Sequence, residues 1–78
     1  MNERQQIIYM QTRMIRLAFE RWNQPMERIV AIFEAYDVLQ YIEEGFGIFH
    51  VEGDEAVFED IAAYLKNKGV EDIAGANK

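Results

Sequence analysis

Residues 5–22, QQIIYMQTRMIRLAFERW, decide the fold. At about 100° of rotation per residue, Ile7, Ile8, Met10, Met14, Ile15, Leu17, Ala18, Phe19 and Trp22 fall within one arc. Thr12, Arg13, Arg16 and Glu20 lie opposite. The arc takes up roughly half the circumference, where a surface helix needs only a ~100° stripe. That width predicts a central helix packed against two others at once, or one whose apolar flank waits for another chain.

Downstream, Asn23-Gln24-Pro25 ends this helix, because proline fits the first helical position and disfavours helix in the residue before it. Met26, Ile29, Val30 and Phe33 follow an i, i+3, i+4, i+7 rule, predicting a second helix over 25–36 with Glu27 in its first turn. Asp37 stands three residues ahead of Gln40 and reads as the cap of a short third helix over 38–44, with Val38, Leu39, Ile42 and Phe46 inward. Gly45 and Gly47 loosen the chain, and Ile48-Phe49-His50-Val51 has strand character, so 48–51 is expected to be an extended connector. The last helix, 54–68, opens on Asp54 as cap and buries Val57, Phe58, Ile61, Ala62, Tyr64 and Leu65. Gly69 is placed to close it. The expectation is therefore an all-α bundle of three to four helices forming one domain over 1–69, with a flexible C-terminal tail at 70–78.

The absence of cysteine excludes a disulfide scaffold and a zinc–thiolate site. No run approaches the ~20 apolar residues of a membrane span, and nothing at the N-terminus resembles a signal peptide, so a cytoplasmic protein without a membrane partner is expected. Net charge is -6 and unevenly placed: residues 1–28 sum to +2 and residues 29–78 to -8. Such a field repels phosphate backbones and argues against nucleic-acid binding. A helix-turn-helix can be drawn through Tyr36-Asp37, but its second helix carries Glu43 and Glu44 and no lysine or arginine where phosphate contacts are needed.

Between Pro25 and Gly69 stand Phe33 and Tyr36 at a helix end, the connector Phe49-His50-Val51-Glu52-Gly53, and Asp60-Ile61 with Tyr64-Leu65 in the final helix. On these residues the chain resembles a family of short bacterial domains of unknown function, over most of its length when helix 1 is included and most specifically over residues 33–65. The family's connector begins leucine-histidine, so Phe49 departs from it while staying apolar, and Glu52 replaces a neutral polar residue. The resemblance implies a small helical fold and no functional residues. It also implies neighbours, since members are often encoded beside toxin-like domains similar to ADP-ribosyltransferases, which makes a partner or neutraliser role an expectation.

His50 is the only histidine and the only side chain whose ordinary titration lies near neutrality. It can be read as a base or a metal ligand, or as a side chain that hydrogen-bonds the backbone and pins the connector. The second reading is favoured, because the chain holds no serine or cysteine nucleophile. Glu52, Asp54, Glu55, Glu59 and Asp60 match no calcium-loop spacing and read as a solvated acidic rim suited to a basic protein surface. Arg13, Arg16 and Arg21 read as solvation of helix 1. The functional expectation is a non-enzymatic protein-interaction module without catalytic, cofactor or metal residues. Its candidate contacts are His50, Glu52 and Trp22, and its partner is a protein with a basic surface or a second copy of the chain. The rival expectations are a helix-turn-helix regulator and a small metal-binding or enzymatic domain around His50.

Overall fold

The computed structural model describes residues 1–70, and the expected tail at 70–78 lies outside them except for Val70. Four helices follow one another: α1 (Glu3–Trp22), α2 (Met26–Ala35), α3 (Val38–Phe49) and α4 (Asp54–Asn67), with no strand among the described residues. The protein is an all-α bundle in which α1 packs against all three other helices. This is the central role its wide apolar arc predicts.

α1 begins two residues earlier than periodicity alone indicates. Asn2 accepts the Gln5 backbone N–H (2.8 Å), and the Gln5 side chain accepts the Asn2 N–H in return (3.3 Å), forming a capping box. The helix ends where Asn23 turns left-handed (φ 55°), and Pro25 is the residue just before α2 rather than its first. Met10, Met14, Ala18 and Trp22 supply the inner seam of α1, joined by Ile29, Ile32 and Phe33 of α2, and by Val57, Phe58, Ile61 and Leu65 of α4. Ala62, expected to face inward, is exposed.

The connector at 48–51 is the main correction. α3 runs on through both glycines to Phe49, and residues 50–52 form the turn to α4. The buried residues Val38, Ile42, Phe46 and Phe49 keep a helical period across the segment, so tertiary burial overrides the local strand preference. Gly45 makes this possible. A Cβ there would stand 2.5–3.0 Å from the ring of Phe49, which is 6% exposed and held 5.5 Å from the Tyr41 ring. Burying Phe49 stabilises by about 1.5–3 kcal/mol, which outweighs the ~0.5–1 kcal/mol that each helical glycine costs.

Two of the expected caps are also different. Asp37 sits in the left-handed region (φ 55°) and makes no side-chain cap bond. A capping side chain needs an extended backbone at that position, whereas Asp37 is used to reverse the chain within two residues. α4 is preceded by Gly53, so Asp54 is its first helical residue and not its cap. The C-terminal expectation for Gly69 holds. It has φ 94°, its N–H reaches the Lys66 carbonyl, and the Val70 N–H reaches Leu65, completing a Schellman motif. Val70 packs against the core and therefore belongs to the domain.

Two long-range side-chain bonds hold the α2–α3 turn. Gln11 donates to the Leu39 carbonyl (2.9 Å), and the Tyr64 hydroxyl donates to the Tyr36 carbonyl (2.7 Å). Tyr64 stacks on Tyr41 at 4.1 Å. Burial, followed by the nearby Asp60 carboxylate, raises the Tyr41 hydroxyl above its ordinary value.

Candidate interaction surface

The bundle brings two of the three expected contact residues together and withdraws the third. Trp22 is 6% exposed, lodged between Phe33 (ring centroids 6.2 Å) and Phe58 (5.6 Å). Its place as an interaction candidate is therefore corrected. At the last position of α1, the indole lies on the inner seam, where it joins α2 to α4.

His50 and Glu52 both border an open cleft of about 300 Å³ between the first half of α1 and the α3–α4 turn, with Gln6, Tyr9 and Arg13 opposite. The His50 ring is stacked on Phe46 at 5.2 Å. Its Nδ1 lies 2.9 Å from the Phe46 carbonyl, which also receives the His50 backbone N–H. A carbonyl can only accept, so Nδ1 is the donor in this contact. The histidine thus ends α3 by hydrogen-bonding its own helix. Glu52 has one carboxylate oxygen buried without a hydrogen-bond partner. Among the described residues, no group of three or more His, Asp or Glu side chains is placed to hold a metal ion.

The acidic rim is only partly solvated. Arg13 holds both oxygens of Asp54 through Nε (3.0 and 3.3 Å), and Arg21 holds Glu55 while its guanidinium lies 5.7 Å from the Phe58 ring. The hydrogen bond from Arg21 lowers the Glu55 carboxyl below its ordinary value, and the same bond raises Arg21. Both arginines therefore bind anions within the chain, along the α1–α4 seam. Asp54, read from sequence as a cap, and Glu55, read as part of the solvated rim, are ion-pair partners at separations of 41 and 34 residues that no local pattern reveals.

The surface that sequence reading missed is on α2. Met26, Glu27, Val30, Ala31 and Glu34 line a shallow apolar depression of about 510 Å³. Met26, expected on the inner stripe, is 41% exposed, and Ala31 is exposed too. The signal was present in the order of residues. Glu27 precedes Val30 and Ala31 by three and four positions, and Glu34 follows them by four and three, so all four share one face.

α2 and α3 do form two helices around a short turn, but the exposed positions of α3 are Gln40, Glu43, Glu44, Gly47 and Ile48, with no cation among them. None of the helices among the described residues is long and apolar enough to cross a membrane. Residues 9–68 match the family model described as a protein of unknown function (DUF3791). No curated protein and no solved structure matches the chain.

Proposed function

The chain belongs to the DUF3791 family of proteins of unknown function, and on that premise we propose that it is a non-enzymatic protein-interaction module whose partner presents a basic surface. One observation carries this reading: large apolar side chains stand in solvent on a chain of net charge -6. They include Ile8 and Phe19 on α1, Met26 on α2, and Ile48 and Val51 around the end of α3. Single exposed apolar residues are ordinary. Met26, Ile48 and Val51 stand close in sequence to Glu27, Glu44 and Glu52, so they offer an apolar contact with an electrostatic preference for cationic partners. The ion pairs of Arg13 and Arg21 support the same reading, because they tie two of the chain's cations to α4.

The resemblance to domains encoded beside toxin-like proteins supplies the first partner to test, and a cytoplasmic neutraliser of such a protein is the form of the function we favour. Co-expression of the chain with the product of the adjacent gene is expected to yield a complex on size exclusion that weakens as salt is raised. A chain that elutes alone at low salt beside a well-folded neighbour would overturn the reading.

A further inference from the structure

We infer that the outer face of α2 is the docking surface, and that its occupant is a partner helix bearing two cationic side chains seven residues apart with apolar residues between them. This rests on the interaction-module reading above and assigns it a place and a partner chemistry.

The argument begins with the spacing. Glu27 and Glu34 are seven residues apart on the same face, about 10.5 Å along the axis, and Val30 and Ala31 fill the interval between them. Met26 extends the apolar strip on one side, and together these five residues enclose the depression. A helix laid along the strip meets it with the same period, so lysines or arginines at i and i+7 reach both carboxylates while residues at i+3 and i+4 cover Val30 and Ala31. In an extended segment the residues that span this distance, at i and i+3, point to opposite faces, so they do not present two cations to one side about 10 Å apart.

Charge decides between a foreign helix and a second copy. No lysine or arginine lines the depression. Two copies joined through this face would bring four carboxylates together with no cation lining the depression, which opposes self-association. The strip spans only about two helical turns, so the contact suits a reversible partner more than a permanent one. Ile48 and Val51 are more exposed than Met26, at 67% and 76% against 41%, but neither of them lines this depression.

The test uses the whole chain, isotope-labelled, and a synthetic helical peptide of about 18 residues built from leucine, alanine and lysine. Its lysines stand at i and i+7 around the apolar residues. A scrambled peptide of equal charge serves as control. Amide shifts are expected to concentrate in residues 26–35. The double variant Glu27→Gln, Glu34→Gln is expected to weaken binding about tenfold, and Ile48→Ser to leave it unchanged. Both variants alter exposed side chains, and circular dichroism verifies that each is folded. Equal binding of the scrambled peptide, shifts centred on His50 or Val51, undiminished affinity in the double variant, or no binding at all would overturn the inference. If the double variant still forms the complex with the neighbouring protein, the docking face is wrong and the interaction reading stands. If the unaltered chain forms no such complex, the reading itself has failed.

Discussion

α1 and α2 both leave apolar side chains in solvent, yet one meets three neighbouring helices and the other two. α1 packs against three helices, and its border is fastened to α4 by Arg13–Asp54 and Arg21–Glu55. α2 packs chiefly against α1 and α3 and turns Met26, Val30 and Ala31 to an open depression. The contrast shows that an apolar residue on an amphipathic helix is not a core residue until a neighbour covers it. Here the central helix meets three neighbours and still leaves Ile8 and Phe19 in solvent, while α2 meets two and leaves Met26 and Ala31 exposed.

The contrast is broken or upheld most directly by truncation on each side of it. Trp22→Ala empties the junction of α1, α2 and α4 and is expected to cost about 3–5 kcal/mol, read as a large fall in the urea midpoint or outright loss of folding. Met26→Ala, on the open side, is expected to stay within about 0.5 kcal/mol. Comparable losses for the two would mean that α2 is covered in solution.

The same test can be run within α3, whose two glycines face differently. Gly45→Ala drives a methyl group into the buried Phe49 ring and should destabilise by about 1–3 kcal/mol. At Gly47 a Cβ meets nothing within 4 Å, so Gly47→Ala should stabilise by about 0.5–1 kcal/mol through helix propensity alone. Urea unfolding of the two variants should therefore move in opposite directions, and a common direction would contradict the packing of Phe49.

The smallest effect is sought at the α1–α4 border. Because Arg21 holds the Glu55 carboxyl below its ordinary value, that carboxylate contributes stability above the ordinary value of 4.5, and the contribution is lost as pH falls through the lower folded value. Both side chains are well exposed, so the contribution is modest and screened by salt. Glu55→Gln should be slightly less stable than the native chain at neutral pH, and the gap should close in acid or high salt. A gap that persists in acid would remove the ion pair as its cause.

Much of the helical order was legible because the chain states it locally. The Asn23–Pro25 break, the i, i+3, i+4, i+7 run of α2, and Gly69 at the end of α4 are signals within a few residues of what they govern. The end of α3 was not legible, because glycines and a β-branched residue weaken a helix locally, and only the burial of Phe49 against Tyr41 reverses that preference. His50 lies within hydrogen-bond distance of backbone, at the Phe46 carbonyl of its own helix, so it ends α3 where an extended connector was expected. Trp22 could be placed on the apolar arc from sequence, yet not inside or outside.

By itself, the sequence determined the helical class, a bundle of three to four helices, the wide apolar arc of α1 and the acidic balance of the chain, since each follows from residue type and short-range period. Only the tertiary structure decided which arginines meet which carboxylates, which of two glycines must lack a side chain, and which apolar faces stay uncovered. Those outcomes depend on neighbours that lie dozens of residues away along the chain and within a few ångströms in space, and burial and pairing energies act on the second distance alone.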